Sequence, residues 1–228
     1  MAEKIYTYKN FKSAWLEELR KRYFRNMFAV TLFLLVVALV FLAKFLAYNE
    51  IRPGFSFNDP LLSLFAPIDV TWLTFGLIYA GLIIALTSLA FYPERMLIAL
   101  QSYTLIASLR LITIYFLPLS APHAIIPLKD PFIEFFGGGT TLLRDLFFSG
   151  HTSTMFLFFL TSPSKKLKPI FLSCTILVGY LVLVQHVHYT IDVLAAPFFA
   201  YTSYRISRLL VKRFRKKNVI NSLNKSTN

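Results

Sequence analysis

Two histidines and a carboxylate carry the reactive chemistry of this chain. His188 precedes Asp192 by four residues, and His151 follows Ser149-Gly150 well upstream. A four-residue separation stacks two side chains on one helical face. An imidazole is unprotonated near neutral pH often enough to attack phosphorus. A carboxylate one turn away can hold the other ring nitrogen, set its tautomer and stabilise the charge that develops. A second imidazole can protonate the departing oxygen. Arg110 offers a planar fork to phosphoryl oxygens, and the backbone N–H groups around Gly150 and His151 would add anion-binding donors. The scheme requires no metal and no cofactor.

These residues sit in a chain that must be buried in lipid. Of its 228 residues 56% are hydrophobic and 15% charged, with a mean hydropathy of +0.59. So little polar surface excludes a soluble domain, and the many Phe, Tyr, Leu and Ile exclude disorder. One cysteine, Cys174, excludes a disulfide framework and reads as packing. Crossing a hydrocarbon core takes about 20 helical residues. Segments of that length are Phe28–Ala47, Val70–Tyr92, Met96–Leu117, Leu142–Thr161, Pro169–Val187 and Thr190–Val211. They predict an all-α membrane protein, a six-transmembrane helical bundle, with the last two spans joined as a tight hairpin. The fourth is the weakest, because Asp145, Ser149 and His151 interrupt it.

The charge of +13 would suggest nucleic acid on a soluble chain; here it reports orientation. Nineteen of the 24 lysines and arginines fall on the side holding both termini, which predicts cytoplasmic termini. Arg110, His151, His188 and Asp192 then all lie near the opposite, non-cytoplasmic face. An ionisable group at membrane depth costs about 2.5–3.5 kcal/mol, so such a gathering calls for a shared role. Residues 1–26, with Phe11, Trp15, Leu19 and Tyr23 at four-residue spacing, read as an amphipathic cytoplasmic helix on the inner leaflet or against the bundle. Residues 27–211 form the transmembrane domain and 212–228 a basic tail, frayed from Asn218. Gly137-Gly138-Gly139 would permit a turn in the longest outer loop.

Two stretches match a known family. Asp145-Leu-Phe-Phe-Ser149-Gly150-His151-Thr152 and His186-Val-His188-Tyr189-Thr190-Ile-Asp192-Val193 resemble the two catalytic motifs of the sphingomyelin synthase branch of the type 2 phosphatidic acid phosphatase (PAP2) superfamily. Arg110 followed by Leu117-Pro118 is similar to that branch's third-span motif. The resemblance implies His188 as nucleophile, Asp192 as its orienting carboxylate and His151 as acid–base partner. It gives Arg110 a phosphate-binding role, which Ser149 and Gly150 would share. Asp145, His186, Tyr189 and Thr190 would support them. The implied substrates are membrane lipids: a lipid phosphoester donor with an alcohol or water acceptor. The phosphatase branch's second arginine has no counterpart, since Val182 stands there. Three functions stay open: a lipid phosphotransferase, a lipid phosphate phosphatase, and a non-catalytic lipid-binding membrane protein. A homo-oligomer is compatible with each; a nucleic-acid partner is not expected.

Overall fold

The computed structural model describes residues 11–129 and 141–226, so the triple glycine and the first ten residues lie outside the described part. Among the described residues seven α-helices follow in order: α1 Phe11–Arg20, α2 Arg22–Asn49, α3 Thr71–Ala90, α4 Pro93–Phe116, α5 Gly150–Thr161, α6 Leu167–Val184 and α7 Thr190–Ser226. The described residues contain no β-strand, only an isolated bridge between Phe55 and Leu119.

Four helices, α2, α3, α4 and α6, are long and apolar enough to cross a membrane. The fourth predicted span is shorter than expected: only Gly150–Thr161 is helical, about 18 Å at 1.5 Å per residue. Residues 142–149 run instead as an irregular strap, although Leu142, Leu146, Phe147 and Phe148 are as apolar as any span. Their backbone groups are taken by other elements. Glu50 Oε1 accepts the N–H groups of Leu143 (3.0 Å) and Arg144 (2.8 Å), and Asn49 Nδ2 donates to the Arg144 carbonyl (2.9 Å). From α4, Thr113 Oγ1 donates to the Phe147 carbonyl (3.0 Å) and Arg110 Nε to that of Phe148 (3.2 Å). The Leu143 and Arg144 N–H groups are thereby committed to Glu50 rather than to a helical carbonyl. The sixth predicted span differs in the other direction. One helix, α7, starts where expected at Thr190 and continues past Val211 to Ser226.

The core is a triangle of α4, α5 and α7. α2 lies against α4, and α3 against α4, α5 and α6. α6 and α7 are joined by the short turn at 185–189, with Val193 packed against α6, while α6 packs mainly on α5 and α7 on α4 and α5. Ile106, Phe148, Leu157, Ala196 and Ala200 pack where the triangle closes. Small Ala196 and Ala200, one turn apart on α7, permit that approach. α2 is peripheral: 17% of its apolar stretch is buried, against 39% for α4 and α6. At the end of the bundle away from the histidines, α1 docks on α2 and α4. Its Ala14 and Glu18 are buried, and Trp15 Nε1 donates to the Ala90 carbonyl at 2.8 Å. Of the two expectations for this segment, contact with the bundle is what the fold displays.

Candidate active site

Helix starts and helix ends deliver the predicted residues to one end of the bundle. α6 stops in a reversal at His186, whose φ of 56° is left-handed. His186 N–H bonds the Leu183 carbonyl and Val187 N–H that of Val182, both at 2.9 Å. This is the Schellman arrangement, in which a glycine usually occupies the left-handed position. His186 is therefore a turn residue, with its ring edge-on to Phe65 at 5.2 Å. Burial lowers its pKa, more than nearby Asp59 and a backbone bond with Phe65 raise it.

Two residues later His188 is buried, 1% exposed, and its Nδ1 lies 3.4 Å from Asp192 Oδ2. The same carboxylate oxygen accepts the Tyr189 N–H at 3.0 Å, closing the first turn of α7 from within. Asp192 Oδ1 is buried and has no hydrogen-bond partner among the described residues. Tyr189 lies under the loop that precedes α3: its ring stacks on Phe57 at 4.1 Å and its hydroxyl donates to the Ser120 carbonyl at 3.0 Å. Burial raises its hydroxyl pKa. Thr190 is held by Asp59, as described below.

The start of α5 meets this turn. Ser149 N–H donates to the Asp192 carbonyl at 3.1 Å, joining the two motifs through their backbones. Ser149 Oγ accepts from Thr152 N–H at 3.4 Å, and the residue is fully buried. Its hydroxyl thus caps α5. His151 projects from that turn with its ring centroid 6.3 Å from that of His188 and edge-on to Phe75 at 6.0 Å. This spacing exceeds a direct hydrogen bond and allows both rings to touch one phosphoryl group.

Arg110 completes the cluster. Its Nη2 is ion-paired to Asp145 while its Nε donates to Phe148, so the strap fixes the guanidinium plane. Gly150 lies against that plane: a Cβ there would meet Nη1 at 2.5 Å and Cζ at 2.7 Å. The site therefore brings Arg110, Asp145, Gly150, His151, His188 and Asp192 together. Arg110, Asp145, Gly150, His151 and Thr154 line one end of a cavity of about 450 Å³ that is otherwise apolar. No cluster suited to a metal ion occurs among the described residues.

Sequence reasoning overlooked Asp59, Asn49 and Glu50, which hold α7 and the strap. Each bonds across more than ninety positions of chain, and no local pattern marks it.

Residues 144–209 match a protein-family model described as PAP2 superfamily C-terminal. The matched segment holds both histidine motifs, from Asp145 to Asp192, and excludes Arg110. It points to phosphatase or phosphotransferase chemistry on phosphoesters. No curated protein and no solved structure matches the chain.

Proposed function

We propose that this protein is an integral-membrane lipid phosphotransferase resembling the sphingomyelin synthases. The observation that carries the reading is the cavity. Its polar end holds Arg110, Asp145 and His151, and its apolar walls follow α4 from Met96 through Tyr103 to Ala107, with Leu82, Leu86 and Leu89 of α3 and Leu35 and Leu42 of α2. From Met96 to Arg110 the helix rises about 21 Å, a length suited to an acyl chain. A small water-soluble phosphoester would leave this apolar length unused.

The steps follow from the atoms. Asp192 holds His188 Nδ1, which leaves Nε2 to attack phosphorus. The P–O ester bond breaks, and His151 gives its proton to the departing oxygen. Arg110 and the N–H groups of the first α5 turn hold the non-bridging oxygens as charge builds on them. His151, now neutral, takes the proton of an acceptor alcohol as that oxygen attacks the phosphohistidine. The P–N bond breaks and His188 is restored. Water in the acceptor's place would make the protein a lipid phosphate phosphatase.

In this reading α5 and the apolar half of α7 join the four long helices as six spans. Both termini are cytoplasmic, and the site opens on the non-cytoplasmic face. The distribution of lysine and arginine supports that orientation.

The test supplies purified protein in detergent micelles with fluorescent phosphatidic acid, phosphatidylcholine or phosphatidylethanolamine as donor. Diacylglycerol or ceramide serves as acceptor. A new phospholipid, together with an alkali-stable phospho-adduct on His188 that His188→Ala lacks, is the expected result. Free phosphate alone would assign the phosphatase reaction. Turnover undiminished in His188→Ala would end the proposal.

A further inference from the structure

The turn that carries His188 is held by a carboxylate from a distant loop. Asp59 lies between α2 and α3 and is 6% exposed. Its Oδ2 accepts the Thr190 N–H at 2.7 Å, and its Oδ1 accepts the Thr190 hydroxyl at 3.0 Å. The loop closes around the same group: Leu61 and Leu62 N–H donate to Oδ1 at 2.9 and 3.4 Å. Thr190 is the first residue of α7, and the residue before it, Tyr189, has no short side-chain oxygen to serve as a cap. Asp59 performs that capping from 131 positions away. A negative charge there also sits favourably at the positive end of a long helix. Asp192 closes the turn from inside the helix and Asp59 from outside it.

We propose that Asp59 is a positioning residue for catalysis, holding the start of α7 so that the His188 imidazole keeps its alignment with Asp192 and His151. This rests on the reading of His188 as nucleophile. The effect passes through the Thr190 backbone and hydroxyl. Phe57 stacked on Tyr189 makes the loop and the turn one packed unit. Misplacing a reacting group by about 1 Å can cost about 100-fold in rate.

The experiment compares Asp59→Asn, Asp59→Ala, Thr190→Val and the Asp59→Asn/Thr190→Val pair in detergent micelles, with fluorescent phosphatidic acid as the probe. Asp69→Asn is the control: it removes a carboxylate of the same loop whose recorded bond is to Thr71. KM and kcat are measured per folded molecule, with folded fraction read from thermal unfolding. Asp59→Ala is expected to lower kcat about 100-fold with KM within about threefold, and Asp59→Asn, which keeps an acceptor oxygen, about tenfold. The losses in the pair should not multiply, because both act through one bond set. Asp69→Asn should match the parent.

Unchanged kcat per folded molecule in both Asp59 variants would overturn the inference, as would a loss confined to KM. If His188→Ala is inactive in the same assay, such a result refutes the role of Asp59 alone. If His188→Ala turns over normally, the nucleophile reading falls and this one with it.

Discussion

Replacing Gly150 by alanine should separate activity from folding. The added Cβ would stand 2.5 Å from Arg110 Nη1 and 2.7 Å from Cζ, where ordinary contact begins at 3.4 Å. The guanidinium must therefore retreat by about 0.9 Å. It cannot swing freely, because Nε is bonded to the Phe148 carbonyl and Nη2 to Asp145. Its forked face is displaced relative to the phosphorus between the two imidazoles, and a shift near 1 Å is worth about 100-fold. Stability should change little, because the strain on those two bonds is offset in part by alanine, which favours helix over glycine by up to about 1 kcal/mol, less in the first turn. Gly150→Ala is thus expected to unfold at or slightly below the parent temperature while kcat/KM on fluorescent phosphatidic acid falls about 10- to 100-fold. Gly76→Ala, whose Cβ would meet nothing within 4 Å, provides the control and should leave the rate unchanged. A Gly150→Ala enzyme within twofold of the parent would refute the placement of Arg110 at the reacting phosphoryl group. So would a loss of rate that merely followed unfolding.

Other expectations follow from the same geometry. His151→Ala should slow turnover of an alkyl phosphate far more than that of an activated aryl phosphate, whose leaving group needs no proton; equal losses would remove the acid role. Ala99→Phe fills the deep part of the cavity. Excluding about three methylenes forfeits about 2.4 kcal/mol, so long-chain phosphatidic acid should lose roughly 50-fold against a short-chain form in competition. An unchanged chain-length preference would show that the tail lies elsewhere. His186 gives a pH dependence to stability. Burial depresses its folded pKa, so its unfolded form binds the proton first as pH falls below about 6.5. Stability from this group is therefore present above that value and lost as pH drops through the folded pKa. His186→Asn, which tolerates the left-handed backbone, should flatten the fall in unfolding temperature between about pH 7 and 5.

The long apolar helices were legible because a hydrocarbon interior leaves a peptide segment few alternatives. Continuous runs such as those of α2, α3, α4 and α6 must satisfy their own backbone groups. The His188–Asp192 pair was legible as a four-residue spacing, although His188 stands in the bend before α7 rather than on its face, and the contact is made by Asp192 reaching back across the first turn. The strap was not. Leu142 to Phe148 read as part of a span, yet they run as an irregular segment whose N–H groups at Leu143 and Arg144 go to Glu50 and whose carbonyls accept from Asn49, Arg110 and Thr113, all distant in the chain. Asp59 was equally hidden, since nothing near it in the chain resembles its partner Thr190.

Local pattern thus marked which residue types could do chemistry and where the long apolar helices run, because periodicity and hydropathy act over a few turns. Only the tertiary structure decided that the His151 ring centroid stands 6.3 Å from that of His188, that Gly150 abuts Arg110, and that an apolar cavity ends on Arg110, Asp145, Gly150 and His151. Those relations depend on how α4, α5 and α7 pack. The packing is set by long-range bonds and by small residues at the crossings, whose partners lie far away along the chain.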